Sequence, residues 1–184
     1  MKLLSILALA TALAWTAPLT AHAQQKVRLT TNMGDIVVEV DAEKAPKSAD
    51  NFLRYVKAGH YDGVIFHRVI GTFMIQTGGY KPDLSEKPTR APIPLEVGRG
   101  LSNVRGSLAM ARTGDPNSAT SQFFINVADN PRLDDAGGGY AVFGKVVEGM
   151  DVVDQIRAVP TRSAGVHGNL PEKAITIKKA TLEK

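Results

Sequence analysis

The chain reads as a mainly β protein, an antiparallel barrel capped at its ends by two α-helices. Three observations predict it. Short runs rich in Val, Ile, Phe and Thr recur from residue 27 to residue 180. Only two segments carry a helical period. Strands and helices do not alternate, which sets aside the parallel α/β plans.

The elements follow in order. Val27–Thr31 and Ile36–Val40 are strands joined by the turn Asn32-Met33-Gly34-Asp35, so they form a hairpin. A helix is predicted from Pro46 to Ala58. Proline suits its first position and Gly59 the position after its end. Ala49, Phe52, Leu53 and Val56 recur at i, i+3, i+4 and i+7, one apolar face that must close over a core. Further strands are predicted at 64–70, 73–76, 107–111, 122–127, 140–147 and 174–180. A short second helix at Met150–Arg157 turns Val152, Val153 and Ile156 inward. Loops take 77–106, 112–120 and about 158–172; loops this long in a compact domain usually carry function or move.

The first 23 residues read as a secretory leader. Met1-Lys2 is a short basic start, Leu3–Trp15 is almost entirely apolar, and Ala21-His22-Ala23 is an A-x-A cleavage site. Cleavage before Gln24 leaves 24–184 as one domain, and the leader's compact form suits a bacterial periplasm. No later run is long enough to span a membrane. The chain has no Cys, which removes disulfides, thiol catalysis and Cys-ligated metals together. The formal charge is +4, with Lys and Arg interleaved with Asp and Glu. That is an ordinary solvated surface and argues against nucleic acid as a partner. Nothing in the sequence demands more than a monomer.

The familiar catalytic kits are missing. His60, His67 and His167 stand in no metal-ligand spacing, no G-x-S-x-G elbow occurs, and Gly137-Gly138-Gly139 lacks the Lys and helix of a phosphate loop. What remains is the stretch Phe66–Gly79 and the segment Ser121–Asn126. Read as a strand, the first puts Phe66, Arg68 and Ile70 on one face and His67 and Val69 on the other. A guanidinium among Val, Ile and Phe needs partners or an opening. Arg68, Gln76 and Gln122 among Phe73, Met74, Phe124 and Leu133 would bind an apolar group and aim hydrogen bonds at it. Such a set has little capacity for proton transfer, so a reaction that breaks no covalent bond suits it.

These segments resemble a known family. Phe66-His67-Arg68, Phe73-Met74, Gln76 and Gly78-Gly79 are similar to the first signature of the cyclophilins, peptidyl-prolyl cis–trans isomerases. Ser121–Ile125 resembles the second signature and Val142–Val146 the third, and the similarity spans about 27–181. The resemblance implies a closed eight-stranded barrel with a helix at each end. It implies that Arg68 is the catalytic arginine and that Phe73, Met74, Phe124 and Leu133 wall a proline pocket. It implies that Gln76 holds the arginine and touches substrate, that Gln122 binds substrate, and that His67 adjoins the site. Ala111, Arg112 and Thr113 fall where the family has a backbone rail for extended substrate, and Tyr140 aligns with a site histidine. No cofactor or metal is implied. Arg132 stands where many eukaryotic members carry Trp, so cyclosporin binding is expected to be weak. Such departures resemble the bacterial periplasmic branch. The expected function is isomerisation of X–Pro bonds in exported, unfolded polypeptides. The alternative is a binding module or holdase that grips Pro-containing segments without turnover; it would need the apolar pocket but not Arg68.

Overall fold

The structure, a computed structural model, describes residues 24–183. The expected leader, residues 1–23, lies outside them, as does Lys184.

Eight strands form one antiparallel sheet: β1 (Gln25–Thr31), β2 (Gly34–Val40), β3 (Arg68–Ile70), β4 (Met74–Thr77), β5 (Ser107–Met110), β6 (Phe123–Asn126), β7 (Val142–Glu148) and β10 (Ile177–Leu182). Their order is β10-β1-β2-β7-β5-β6-β4-β3. The expected closed barrel is corrected to an open, eight-stranded sheet with β10 and β3 at its edges. Between those edges, residues 63–66 and 175–177 meet through Gly63 N to Ile177 O (2.8 Å), Ile177 N to Val64 O (2.8 Å) and Phe66 N to Ile175 O (2.9 Å). A single bridge, Ile65 with Thr176, adds to them. The chain reaches this seam through Gly63 at a positive φ of 79°, and its irregular course cannot align a full ladder.

The strand predicted at 64–70 shrinks for the same reason. Only Arg68–Ile70 pairs as a strand. Phe66 therefore does not share a face with Arg68; it is fully buried in the main core. The loop predicted at 158–172 is instead a hairpin of β8 (Thr161–Ala164) and β9 (His167–Pro171). Its two-residue turn is Gly165-Val166, with Gly165 at φ 56°. The hairpin is mostly exposed, so it needs no apolar alternation, and that is the signal the sequence reading depended on.

Both helices stand where predicted. α1 (Pro46–Lys57) lies against β7 and β10, and α2 (Met150–Arg157) against β2, β3 and β4. The predicted inner faces, Ala49, Phe52, Leu53 and Val56 on α1 and Val152, Val153 and Ile156 on α2, are all buried. Phe52 is the centre of the packing: its ring lies 5.2 Å from Phe123 edge-on and 5.3 Å from both Tyr61 and Phe143. No helix among the described residues is long and apolar enough to cross a membrane.

The N-terminus of α1 has no cap of its own, since Ala45 precedes it. The cap comes from Glu96, far along the chain. Its buried carboxylate accepts hydrogen bonds from Lys47 N (3.1 Å), Ser48 N (2.6 Å) and Ser48 Oγ (2.8 Å). Bonds to a charged acceptor at a helix N-terminus are among the stronger ones. Glu96→Ala is expected to cost about 2 kcal/mol in a denaturant titration, with the loss in midpoint rather than slope. A loss below a few tenths of that figure would mean water replaces the carboxylate.

Candidate active site

The alternation of β-strand side chains builds the site. On β4, Ile75 faces the core while Met74 and Gln76 face outward; on β6, Phe123 and Ile125 face the core while Phe124 and Asn126 face outward. The register pairs Arg68 with Gln76 and Gln76 with Phe124, and pairs Ile70 with Met74 and Met74 with Asn126. Two rows thus cross the same outer face, Arg68–Gln76–Phe124 and Ile70–Met74–Asn126.

From Arg68, side-chain hydrogen bonds run through Gln76 to Gln122, two residues before Phe124. Arg68 Nη1 donates to Gln76 Oε1 at 3.3 Å, and Gln76 Nε2 donates to Gln122 Oε1 at 2.9 Å. The order of donors fixes the amide orientation of both glutamines. The Gly-Gly pair after β4 makes this possible. A Cβ on Gly79 would lie 2.6 Å from Gln122 Nε2 and 2.8 Å from its Cδ, so any larger residue would displace Gln122. Two residues not singled out from sequence hold the turn from behind: His60 Nε2 bonds Gly78 O (3.0 Å) and Tyr61 OH donates to Ser121 O (3.0 Å).

Beside this row lies a second, smaller apolar cluster outside the main core. Met74, Phe124, Ala109 and Val142 are its buried members, with Phe73, Leu133, Tyr140, Ala111, Ile70 and Leu101 packed around them. Phe73, Leu133 and Tyr140 remain partly exposed, so the cluster has an open side. Tyr140 meets Phe124 edge-on at 5.9 Å.

A buried polar network carries this wall from beneath. Asn126 Nδ2 donates to Asn103 Oδ1 (3.1 Å) and Ser107 Oγ (2.9 Å), and Asn130 Nδ2 donates to Asn126 Oδ1 (2.7 Å). Asn130 also donates to Phe73 O (2.9 Å), while Asn103 Nδ2 donates to Asp134 Oδ1 (2.8 Å) and Tyr140 O (3.2 Å). Hydrogen bonds from Ser102 and Asn103 hold the Asp134 carboxyl below its ordinary range, against the opposing effect of burial. Nothing in the sequence marked these asparagines, because their partners lie up to 57 residues away.

His67 lies behind Arg68, buried, with its ring 4.7 Å from Tyr80 and 6.2 Å from His167. Its Nδ1 has no hydrogen-bond partner among the described residues. Burial, helped by the neighbouring His167 and Arg68, pushes its pKa down to about 4, against the Ile65 backbone and Gln122. The imidazole is therefore neutral at pH 7, and this suits packing rather than proton transfer. An unfolded histidine titrates near 6.5, so below that pH the unfolded chain takes a proton that the folded chain refuses. Stability should fall as pH drops from about 6.5 to about 4, with His67 contributing up to roughly 3 kcal/mol of the loss. His60, also lowered by burial, acts with the same sign. His67→Phe should flatten this acid slope in urea titrations at several pH values; an unchanged slope would assign it to other groups.

The 111–113 segment is partly used by the fold. Ala111 N donates to Gln122 O (3.0 Å) and Thr113 N to Ser118 Oγ (2.9 Å). The Arg112 side chain is turned to the 136–139 loop. It donates to Gly139 O from Nε (3.0 Å) and Nη2 (2.9 Å) and to Gly137 O from Nη2 (2.8 Å), and it lies 4.3 Å over the Tyr140 ring. Its guanidinium is thus a staple for Tyr140 rather than a free head group. Arg132 is exposed, on the short 3₁₀ turn Pro131–Asp134 beside Leu133. The sequence-predicted residues Arg68, Gln76, Gln122, Phe73, Met74, Phe124, Leu133 and Tyr140 thus converge on one face. His67 sits behind Arg68, and Ala111–Thr113 runs along the far margin.

On the other side of Arg68 is a cavity of about 290 Å³, walled by His67, Gln76, Tyr80, Gln122 and the β8–β9 hairpin. Among the described residues no cluster of three or more His, Cys, Asp or Glu could hold a metal ion.

Known proteins resemble this chain over most of its length. The family profile described as "Cyclophilin type peptidyl-prolyl cis-trans isomerase/CLD" matches residues 26–182. A peptidyl-prolyl cis-trans isomerase of Acinetobacter baylyi is 55% identical over 163 residues, covering 86% of this chain and 87% of that protein. Peptidyl-prolyl cis-trans isomerase B of Escherichia coli is 50% identical over 157 residues, 83% of this chain and 96% of that one. A Cryptosporidium parvum cyclophilin-type isomerase, crystallised in the presence of the dipeptide Ala-Pro, superposes with a TM-score of 0.74 at 30% identity, over 87% of this chain and 99% of that one. The chain belongs to the cyclophilin-type peptidyl-prolyl cis–trans isomerases.

Proposed function

We propose that Arg68 drives the isomerisation by donating a hydrogen bond to the prolyl nitrogen of a twisted X–Pro amide. The observation that carries this reading is the Arg68–Gln76–Gln122 chain lying beside an open apolar cluster on one sheet face. The planar amide resists rotation by ~18–20 kcal/mol because twisting ends its resonance. In the twisted state the prolyl nitrogen turns pyramidal and regains a lone pair. A donor aimed at that lone pair binds the twisted amide better than either planar isomer, which is the differential binding that accelerates a reaction.

Each part has its own task. Phe73, Met74, Phe124, Leu133 and Tyr140 clamp the proline ring, so that rotation occurs on the carbonyl side. They also exclude water, which strengthens the bond from Arg68. Gln76 sets the guanidinium's orientation and Gln122 sets that of Gln76. Backbone groups of Ala111–Thr113 pair with the extended substrate. No cofactor or covalent intermediate enters the cycle.

The substrates are unfolded or extended Pro-containing polypeptides, and the presence of Ala-Pro with the Cryptosporidium parvum relative supports that class. The leader-like start supports export, and in this reading the protein, cleaved before Gln24, assists folding in a periplasm as a monomer. An exposed Arg132 has no indole surface or N–H to offer, so cyclosporin binds weakly.

The test is exchange of an X–Pro tetrapeptide with residues 24–184. Acceleration over the uncatalysed tens to hundreds of seconds, roughly, is expected. Binding of the peptide without acceleration would leave the holdase reading.

A further inference from the structure

The β8–β9 hairpin takes no part in the isomerisation step, yet it forms one wall of the cavity beside Arg68. β9 packs against β3, the free edge of the sheet. The apolar cluster lies on the opposite side of Arg68, because the register runs Phe124, Gln76, Arg68 across neighbouring strands. Adjacent strands are about 4.8 Å apart and an extended chain advances about 3.3 Å per residue. A peptide with its proline in the apolar cluster and its chain crossing Arg68 therefore lays a residue one or two positions from the prolyl bond into the hairpin cavity.

The chemistry of the lining selects that residue. Tyr80 and His167 meet edge-on at 4.7 Å, and His67 backs Tyr80 at 4.7 Å. Val166, at the hairpin tip between Gly165 and Gly168, is 95% exposed. The space, about 290 Å³, fits one large side chain, and no carboxylate lines it. Aromatic edges and a guanidinium plane favour an aromatic ring. An acidic side chain would pair with Arg68 and draw its donor away from the prolyl nitrogen. Resting on the isomerase reading, we infer that the β8–β9 hairpin, through Val166 and His167 with Tyr80, is a subsite for an aromatic residue flanking the prolyl bond.

The test compares kcat/KM for peptides carrying Phe, Ala or Glu at the positions flanking the X–Pro pair, using wild type, Val166→Ser and His167→Ala. On one flank the wild type should prefer Phe over Ala by roughly fivefold and Ala over Glu. Both variants should bring the Phe/Ala ratio close to one. Val166 is a tip residue whose change leaves the fold alone, so the ratio remains interpretable if His167→Ala is unstable. Turnover of the Ala peptide with no preference for Phe, a preference for Glu, or a Phe preference that survives both variants would overturn the subsite while leaving the isomerase reading intact. No acceleration of any peptide by the folded wild type would remove both.

Discussion

Arg68→Ala is expected to lower kcat/KM for X–Pro exchange by about 10²–10³-fold, the loss seen when a single preorganised donor is removed from an electrostatic site. At about 1.4 kcal/mol per decade this is ~3–4 kcal/mol of transition-state stabilisation. The fold should survive. Arg68 is only half-buried on the short edge strand β3, and its one side-chain partner, Gln76, keeps Gln122. KM should change less than kcat, because the bond forms only when the nitrogen turns pyramidal. The wild-type rate should be nearly flat from pH 6 to 8. A guanidinium keeps its charge there, and His67, with its pKa pushed down to about 4, stays neutral. Arg68→Ala with near-wild-type turnover would end the mechanism; a bell-shaped profile near neutrality would point to proton transfer in its place.

Asn126→Ala is expected to give a large loss of stability. Asn126 is fully buried and makes three side-chain hydrogen bonds, to Asn103, Ser107 and Asn130. Removing it breaks all three bonds and leaves Asn103 Oδ1 without its donor, at about 1 kcal/mol per bond, or ~3 kcal/mol together. For a domain of this size that lowers the Tm by roughly 6–12 °C. Activity should drop as well, since Asn130 holds the Phe73 carbonyl and Asn103 holds the Tyr140 carbonyl and Asp134. Calorimetry and peptide exchange together check this. A Tm within 2 °C, roughly, of wild type would show that the network is satisfied by water and adds little. A lowered Tm with full activity below the transition would separate the network from the pocket.

How much of this was legible depends on how local each signal is. The inner face of α1 could be read because four apolar residues repeat at helical spacing within one element. Arg68, Gln76 and Phe124 could be grouped because the residues around them resemble a family signature, whereas the period of two alone misplaced Phe66 on the face of Arg68. The Glu96 cap could not be read. It joins α1 to a loop 48 residues away, and a Glu in a Pro-rich stretch looks like any solvated charge. The asparagine network is hidden for the same reason. The β8–β9 hairpin escaped because an exposed ribbon buries no face and leaves no alternation.

By itself, then, the sequence determined a mainly β fold with two helices, and through a family resemblance it grouped Arg68 with Gln76, Met74 and Phe124. Periodicity and side-chain type are local properties, and burial of one face enforces them. The tertiary structure alone decided that the sheet stays open between β3 and β10, that Phe66 belongs to the core, and that Arg112 staples the Tyr140 loop. It alone set a hairpin beside Arg68. These outcomes depend on where distant backbone carbonyls and edges come to rest, and no pattern along the chain records that.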